Sequence, residues 1–149
     1  MTAGSRVPDP ESRPLFSWPT RVYWEDTDAG GVVYHAQYVA FLERARTEWM
    51  RARGQAQEQL RLDHDLVFVV RAMQVDFLRP ARLDDLLAVT AAVSQVRRAS
   101  VIFAQQIWRE DQLLLSAQVK VAAVSATAFR PVALAEPLYQ AFKSLEIAS

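Results

Sequence analysis

Apolar residues alternate with other residues in run after run from Leu66 to Ala123, which limits the chain to a fold built on long strands. The first run is interrupted at Pro80, which cannot donate to a strand ladder. Later runs are separated by short polar connections at residues 97–99 and 110–111, as expected of hairpins. The pattern therefore predicts a mostly antiparallel sheet. In the first strand, one face is predicted to carry Val67, Val69, Arg71, Met73, Val75 and Phe77.

One long helical pattern precedes these strands. It runs from about His35 to Arg53, and Gly54 is well placed to end it. Its apolar positions are Tyr38, Phe41, Leu42, Ala45 and Trp49, whereas Glu43, Arg44, Arg46 and Glu48 fall elsewhere on the helical wheel. An extended segment from Leu15 to Trp24 lies before it, and a short helix is expected to open at Pro137. A long apolar helix against an antiparallel sheet indicates an α+β fold.

Composition excludes several classes of protein. A chain of 149 residues fits one domain, here residues 15–149, after a tail at residues 1–14 that is expected to be disordered. Seventeen basic residues balance seventeen acidic ones, so the basic excess of nucleic-acid binders is missing. The absence of cysteine excludes disulfides, thiolate-bound zinc and a thiol nucleophile. Without a signal-like or membrane-spanning apolar run, a cytoplasmic location is expected.

The segment EDTDAGGVVYH, residues 25–35, concentrates the polar groups that could carry chemistry. It lies where the first strand ends and the long helix begins, so unpaired backbone N–H groups and the positive end of a helix dipole are close. A carboxylate there could activate water, and glycine lets the backbone approach a bound carbonyl. Capping residues and ordinary turns have the same composition, and spacing alone favours that structural interpretation.

The sequence from Arg21 to Trp49, with the continuation VVRAMQVDFLRPARLDD at residues 69–85, resembles the tol-pal-associated acyl-CoA thioesterases. These belong to the 4-hydroxybenzoyl-CoA thioesterase branch of the hotdog superfamily. The resemblance extends to about Phe129 and departs mildly at Gln37, where asparagine is expected. It implies a single-domain hotdog fold, in which the sheet wraps around the long helix.

The resemblance also assigns roles within the motif. Asp28 corresponds to the family's catalytic carboxylate, which either attacks the thioester carbonyl or activates the attacking water. The backbone N–H of His35 corresponds to the donor that polarises this carbonyl, and a role for its imidazole stays open. Asp26 is expected to be a hydrogen-bond acceptor within the loop. The positions expected to contact substrate are Gly30, Gly31, Val33 and Tyr34.

Two further polar clusters lie outside this motif. Arg97 and Arg98, in a predicted turn, are candidates for binding the phosphates of coenzyme A, because the guanidinium group binds phosphate through paired donors. His64 lies between Asp63 and Asp65, but consecutive residues converge poorly on one ion, so a solvated loop is the better interpretation. No metal and no cofactor are expected.

The predicted function is hydrolysis of acyl-CoA thioesters by a homodimer, assembled further into a homotetramer, with active sites at the interface between chains. Two alternatives remain open at this point. One is a hotdog hydratase or dehydratase acting on acyl thioesters, which normally needs a second acid or base. The other is a noncatalytic interaction protein of the cell-envelope machinery.

Overall fold

The computed structural model describes residues 16–147. Its helices are α1 (His35–Ala52), α2 (Gln57–His64) and α3 (Glu136–Lys143). Its strands are β1 (Ser17–Arg21), β2 (Leu66–Phe77), β3 (Leu86–Thr90), β4 (Ala92–Val96), β5 (Ser100–Arg109) and β6 (Gln112–Ser125). No helix within residues 16–147 has the combination of length and apolar character needed to cross a bilayer.

The strands form one sheet in the order β1-β3-β5-β6-β2, and every pair is antiparallel. Strands β3 and β4 follow one another along the same edge of β5, so that Val89 pairs with Ile107 and Val93 with Phe103. The predicted hairpin connections at residues 97–99 and 110–111 are confirmed. Strands β1 and β2 are the two ends of the sheet order, and β2 is the longer of them.

Helix α1 is the spine of the core. Phe41, Leu42 and Ala45 are fully buried in a cluster around its first half. Trp49 anchors a second cluster around its other end, where it meets the edge of Phe103 with ring centroids 5.3 Å apart. Helix α1 ends where predicted, with Gly54 in the left-handed conformation at φ +74°. This arrangement agrees with the α+β class and the hotdog architecture predicted from sequence.

A β-bulge in β2 corrects the predicted face of that strand. The register with β6 shifts between Val70 and Ala72, so Arg71 is an extra residue without a partner. Phe68 and Val70 pair with the core-facing residues of β6 before the bulge, and Met73 and Val75 do so after it. Val67 and Val69 therefore lie on the opposite face from Met73 and Val75. The single alternating face was wrong because one inserted residue reverses which side chains point inward.

Arg46 falls outside the predicted apolar positions of α1 and is nevertheless buried. It follows Ala45 and lies against Gln105, a β5 residue at an inward-facing position. Other differences are small. Helix α2 occupies most of the polar stretch at residues 55–65, and β1 is shorter than the predicted extended segment. The predicted tail, residues 1–14, lies outside the described part of the chain.

Candidate active site

The loop between β1 and α1 folds back on itself. Thr27 and Val33 form a bridge, and the Asp28 N–H donates to the Val32 carbonyl at 2.9 Å. A tight turn at residues 29–31 closes this small hairpin, with the Gly31 N–H donating to the Asp28 carbonyl at 3.0 Å. Asp28 therefore lies opposite Val32. Helix α1 begins three residues after Val32.

Both glycines of the turn act on Asp28, each in its own way. Gly31 has φ +79°, a conformation that side chains with Cβ adopt at a cost. Gly30 donates its N–H to Asp28 Oδ1 at 2.8 Å, which orients the carboxylate. A Cβ at position 30 would lie 3.2 Å from that same oxygen. The turn holds an exposed carboxylate in a fixed orientation and leaves Oδ2 without a protein hydrogen bond among the described residues.

The N-terminus of α1, which follows the loop that carries Asp28, offers hydrogen-bond donors. Within residues 16–147, neither the N–H of His35 nor that of Ala36 has an acceptor, because the first turn of a helix has no preceding carbonyl to bond. Tyr34, the residue before the helix, provides no side-chain cap. These two N–H groups and the helix dipole favour negative charge at this point.

Tyr38 fixes the position of the whole loop. Its hydroxyl oxygen accepts a hydrogen bond from the Ala81 N–H at 2.9 Å, and the Ala81 carbonyl accepts one from the Val33 N–H at 2.9 Å. Tyr38 is only 5% exposed, and burial is the main reason why its pKa is raised, with the negative charge of Asp28 adding to the effect. The site loop is thereby tied to α1 through the segment that follows β2.

The structure separates the predicted contact residues by exposure. His35 is exposed, and its ring lies 4.4 Å from that of Tyr34, which is about half exposed. Val33 is different, since its side chain is buried in the core and only its backbone belongs to the loop. Asp26 is buried and accepts a hydrogen bond from the Tyr23 N–H at 2.8 Å, so its predicted role as a loop acceptor is confirmed.

Within a single chain, the predicted phosphate-binding residues Arg97 and Arg98 lie far from Asp28. Arg109, at the other end of β5, pairs with Asp85 near the site loop, whereas Arg97 and Arg98 precede the first residue of β5. Ten residues of strand span about 33 Å. Both arginines are exposed, and Arg98 forms an ion pair with Glu136 and lies 3.9 Å above the ring of Tyr139.

The cluster around His64 is occupied by structural contacts. The carboxylate of Asp65 accepts hydrogen bonds from the hydroxyls of Ser125 and Thr127 and from the Thr127 N–H. These bonds lower the pKa of Asp65. They join the end of α2 to the end of β6. Among the described residues, no group of three His, Cys, Asp or Glu side chains could hold a metal ion.

Sequence reasoning missed Tyr38 as part of the site. It was assigned to the apolar face of α1, and its partner Ala81 is 43 residues away. The available signal was the hydroxyl itself, because a buried tyrosine usually places its O–H against a polar group.

Comparison by family model, by sequence and by structure relates the chain to thioesterases in each case. A model of the family described as "Thioesterase superfamily" matches residues 30–116. "Acyl-CoA thioesterase YbgC" from Haemophilus influenzae is 47% identical over 131 residues, which cover 88% of this chain and 96% of that protein. "Acyl-CoA thioester hydrolase YbgC" from Shigella flexneri is 48% identical over 130 residues, covering 87% and 96%. The crystal structure of a probable thioesterase from Bartonella henselae superimposes with a TM-score of 0.77 at 36% identity, covering 80% of this chain and 98% of that one.

Proposed function

Since the chain belongs to the thioesterase superfamily and is a thioesterase, we propose that its substrates are acyl-CoA thioesters, which it hydrolyses to a free acid and coenzyme A. The observation that carries this proposal is the placement of Asp28. An oriented carboxylate lies in the loop that leads directly into α1, and the first two N–H groups of this helix have no acceptor among the described residues. Relatives 47% and 48% identical to this chain are named for acyl-CoA hydrolysis, which supports the same substrate class here.

The two parts of the site have complementary roles in the proposed reaction. The carbonyl oxygen of the thioester accepts from the N–H of His35, where developing negative charge is stabilised by a fixed donor. Asp28 then either attacks the carbonyl carbon, forming an anhydride that water cleaves, or removes a proton from an attacking water. The thiolate of coenzyme A leaves in both cases.

Replacement of Asp28 tests the proposal directly. Asp28→Asn should reduce kcat by at least about a thousand-fold, because an amide can neither remove the proton nor form a reactive acyl intermediate. Release of free thiol from a panel of acyl-CoAs measures the loss. Asp111→Asn, the same change at an exposed carboxylate in the β5–β6 turn, is the matched control and should leave kcat unaltered. Activity near the wild-type level in Asp28→Asn would refute the assignment.

Isotope labelling distinguishes the two roles of Asp28. In a single turnover in ¹⁸O-water, a nucleophilic Asp28 acquires labelled oxygen when water attacks its own carbonyl, and mass spectrometry of the peptide detects it. A general base leaves the peptide unlabelled and sends all label to the product acid.

Neither sequence-level alternative gains support from the relatives. The relatives described above are all named as thioesterases or thioester hydrolases, and none of them is named as a hydratase or an interaction protein. The cytoplasmic location and the association with the tol-pal machinery stay predictions from sequence.

We also propose that the enzyme acts as a homodimer or homotetramer. Asp28 and His35 are exposed, so in one chain the site is open to solvent. The long strand β2 is an end of the sheet, and Val70, Phe77 and Leu78 on or beside it are about half exposed. An uncovered apolar edge of this kind favours pairing with a second chain. A neighbouring chain would then supply the missing walls of each site.

A further inference from the structure

The buried amide of Gln105 hydrogen-bonds to two backbone carbonyls and to Arg46 inside the core. Its amide nitrogen donates to the carbonyls of Leu42 and Thr90, at 3.0 and 3.1 Å. Both amide hydrogens are therefore used, and the carbonyl oxygen of the side chain must point the other way. There it accepts one hydrogen bond, at 3.0 Å, from Nη1 of Arg46. The amide orientation is fixed by its backbone partners, so Arg46 meets a neutral acceptor.

Arg46 is a buried cation that forms no salt bridge with any of the described residues, and the exposed Glu43 compensates its charge only in part. Arg46 is only 5% exposed, and the described residues give its guanidinium no ion pair and no hydrogen bond other than that to Gln105. Burial lowers the pKa of this group. An uncompensated charge in the interior is unfavourable unless a polar or anionic group meets it. Most of the five N–H donors of Arg46 remain available for such a group.

A cavity of about 250 Å³ lies beside Arg46, between the two helices α1 and α2 and the strand β2. Besides Arg46, its wall contains the polar residues Glu43 and Gln57 and six apolar residues, Met50, Phe68, Val69, Val70, Phe103 and Val121. Its size is just below the roughly 300–1,000 Å³ of pockets for drug-sized ligands. A cavity that places a buried cation beside several apolar side chains can hold a small molecule with an anionic head and a short apolar tail.

We propose that this cavity binds a carboxylic acid with a short or medium apolar chain, whose carboxylate pairs with Arg46. The planar guanidinium suits a carboxylate, which it can bind through two parallel hydrogen bonds. The cavity is distinct from the Asp28 loop, because Arg46 is eleven residues after His35 on α1, about 16 Å along the helix. The ligand class follows from the cavity alone and coincides with the acids that acyl-CoA hydrolysis would release.

The charge of Glu43 should affect carboxylate binding in the direction opposite to that of Arg46. It is exposed, lines the same cavity one turn before Arg46, and its charge partly compensates that of Arg46. Because it is negative, it opposes a bound carboxylate. Removing its charge should therefore tighten binding, whereas removing that of Arg46 should weaken it.

Direct titration of octanoate into the full-length protein, by calorimetry, tests the site without reference to hydrolysis. Octanoate should bind saturably, and octanol and octylamine should bind at least about ten-fold more weakly, because neither supplies an anion. Arg46→Met should lose octanoate affinity by about ten-fold or more, and Glu43→Gln should gain it. Arg44→Met, the same substitution at an exposed position of α1, should behave as wild type.

A second variant covers failure of Arg46→Met to fold. Gln57→Trp fills the cavity from the exposed start of α2 while Arg46 stays in place, and it should also abolish octanoate binding. The proposal is overturned if octanoate does not saturate, if octanol binds equally well, or if octanoate binds a folded Arg46→Met or Gln57→Trp protein as tightly as wild type. An inactive wild-type enzyme that still binds octanoate through Arg46 would refute the proposed hydrolysis and leave this site standing.

Discussion

Tyr38 joins α1 to Ala81, 43 residues further along the chain, and Ala81 is bonded to the loop that carries Asp28. Its hydroxyl oxygen holds the Ala81 N–H, and Ala81 in turn holds Val33 at the base of the site loop. We regard Tyr38 as a positioning residue, because it acts on Asp28 through two backbone hydrogen bonds. A small displacement of a reacting group lowers the rate of the chemical step strongly, while substrate binding changes little.

Tyr38→Phe should therefore lower kcat by about ten- to a hundred-fold while KM changes by less than about three-fold. The buried Ala81 N–H loses its acceptor, which should also cost about 1–3 kcal/mol of the free energy of unfolding. Steady-state kinetics and urea unfolding measure both effects. Tyr23→Phe makes the same change at an exposed tyrosine and should alter neither. Loss of stability with an unchanged kcat would leave Tyr38 a purely structural residue.

Gly30 is the second position where one atom decides the geometry of Asp28. In Gly30→Ala the new Cβ lies 3.2 Å from Asp28 Oδ1, so the carboxylate must turn away by a few tenths of an ångström. We expect kcat to fall by about ten-fold or more, with less than about 1 kcal/mol lost in unfolding free energy, since position 30 has no positive φ. Gly54→Ala, where φ is +74°, should show the reverse, a loss of about 1 kcal/mol or more with kcat intact. Equal kcat in the two variants would contradict the steric argument.

At the scale of the element, the bulge at Arg71 makes a prediction about deletions in β2. Removing Arg71 leaves Val70 and Met73 facing the core, because the strand then alternates regularly. Removing Gln74 instead turns Val75 outward and Asp76 inward. The deletion of Arg71 should thus be tolerated, whereas that of Gln74 should cost about 3 kcal/mol or more, by burying a carboxylate and exposing an apolar side chain. Urea unfolding of the two variants compares them, and similar losses would exclude the parity argument.

The elements themselves were largely predictable from sequence, and the reasons are local. The bounds of α1 follow from apolar spacing and from Gly54, and the two hairpin turns follow from short polar gaps between alternating runs. The bulge was not predictable in this way, because an unpaired residue is defined only against the partner strand β6. The burial of Arg46 was not predictable for a related reason, since it depends on Gln105 on a distant strand.

The same division applies to the site. Asp28, Gly30 and His35 lie within eight residues, so the motif and its resemblance found them together. The Tyr38 hydroxyl and the walls of the Arg46 cavity involve residues far apart in the chain. Their assembly depends on packing that a single sequence does not encode in any short pattern.

At the scale of the whole molecule, the arginine turn can serve catalysis only across an interface. Arg97 and Arg98 lie about 33 Å along β5 from Arg109, the end nearest Asp28. If they bind coenzyme A phosphates, the site that they serve belongs to a neighbouring chain. Arg97→Ala combined with Arg98→Ala should raise KM for acyl-CoA, with little change for an acyl-pantetheine that lacks the nucleotide.

Mixed oligomers test this arrangement. Chains carrying both alanine substitutions are refolded or co-expressed with Asp28→Asn chains, whose arginines are intact. Sites that combine Asp28 of one chain with arginines of the other are then complete, so the low wild-type KM should return. A KM that stays high after mixing would place the arginines outside the neighbouring site. Arg98→Ala alone also removes the contact with Glu136, so its melting temperature is the control for destabilisation.

The hydrogen bonds from Tyr38 through Ala81 to Val33 have a consequence for how the molecule fails on heating. The loop is bonded to α1, and α1 is also the centre of the core. We therefore expect that the loop does not unfold locally while the rest of the molecule stays folded. The loop should belong to the same cooperative unit as α1. In hydrogen–deuterium exchange, the amide of Val33 should therefore exchange as slowly as the amides of the core. Catalytic competence and the native state should then disappear together, in one transition, with no inactive but otherwise folded species before it.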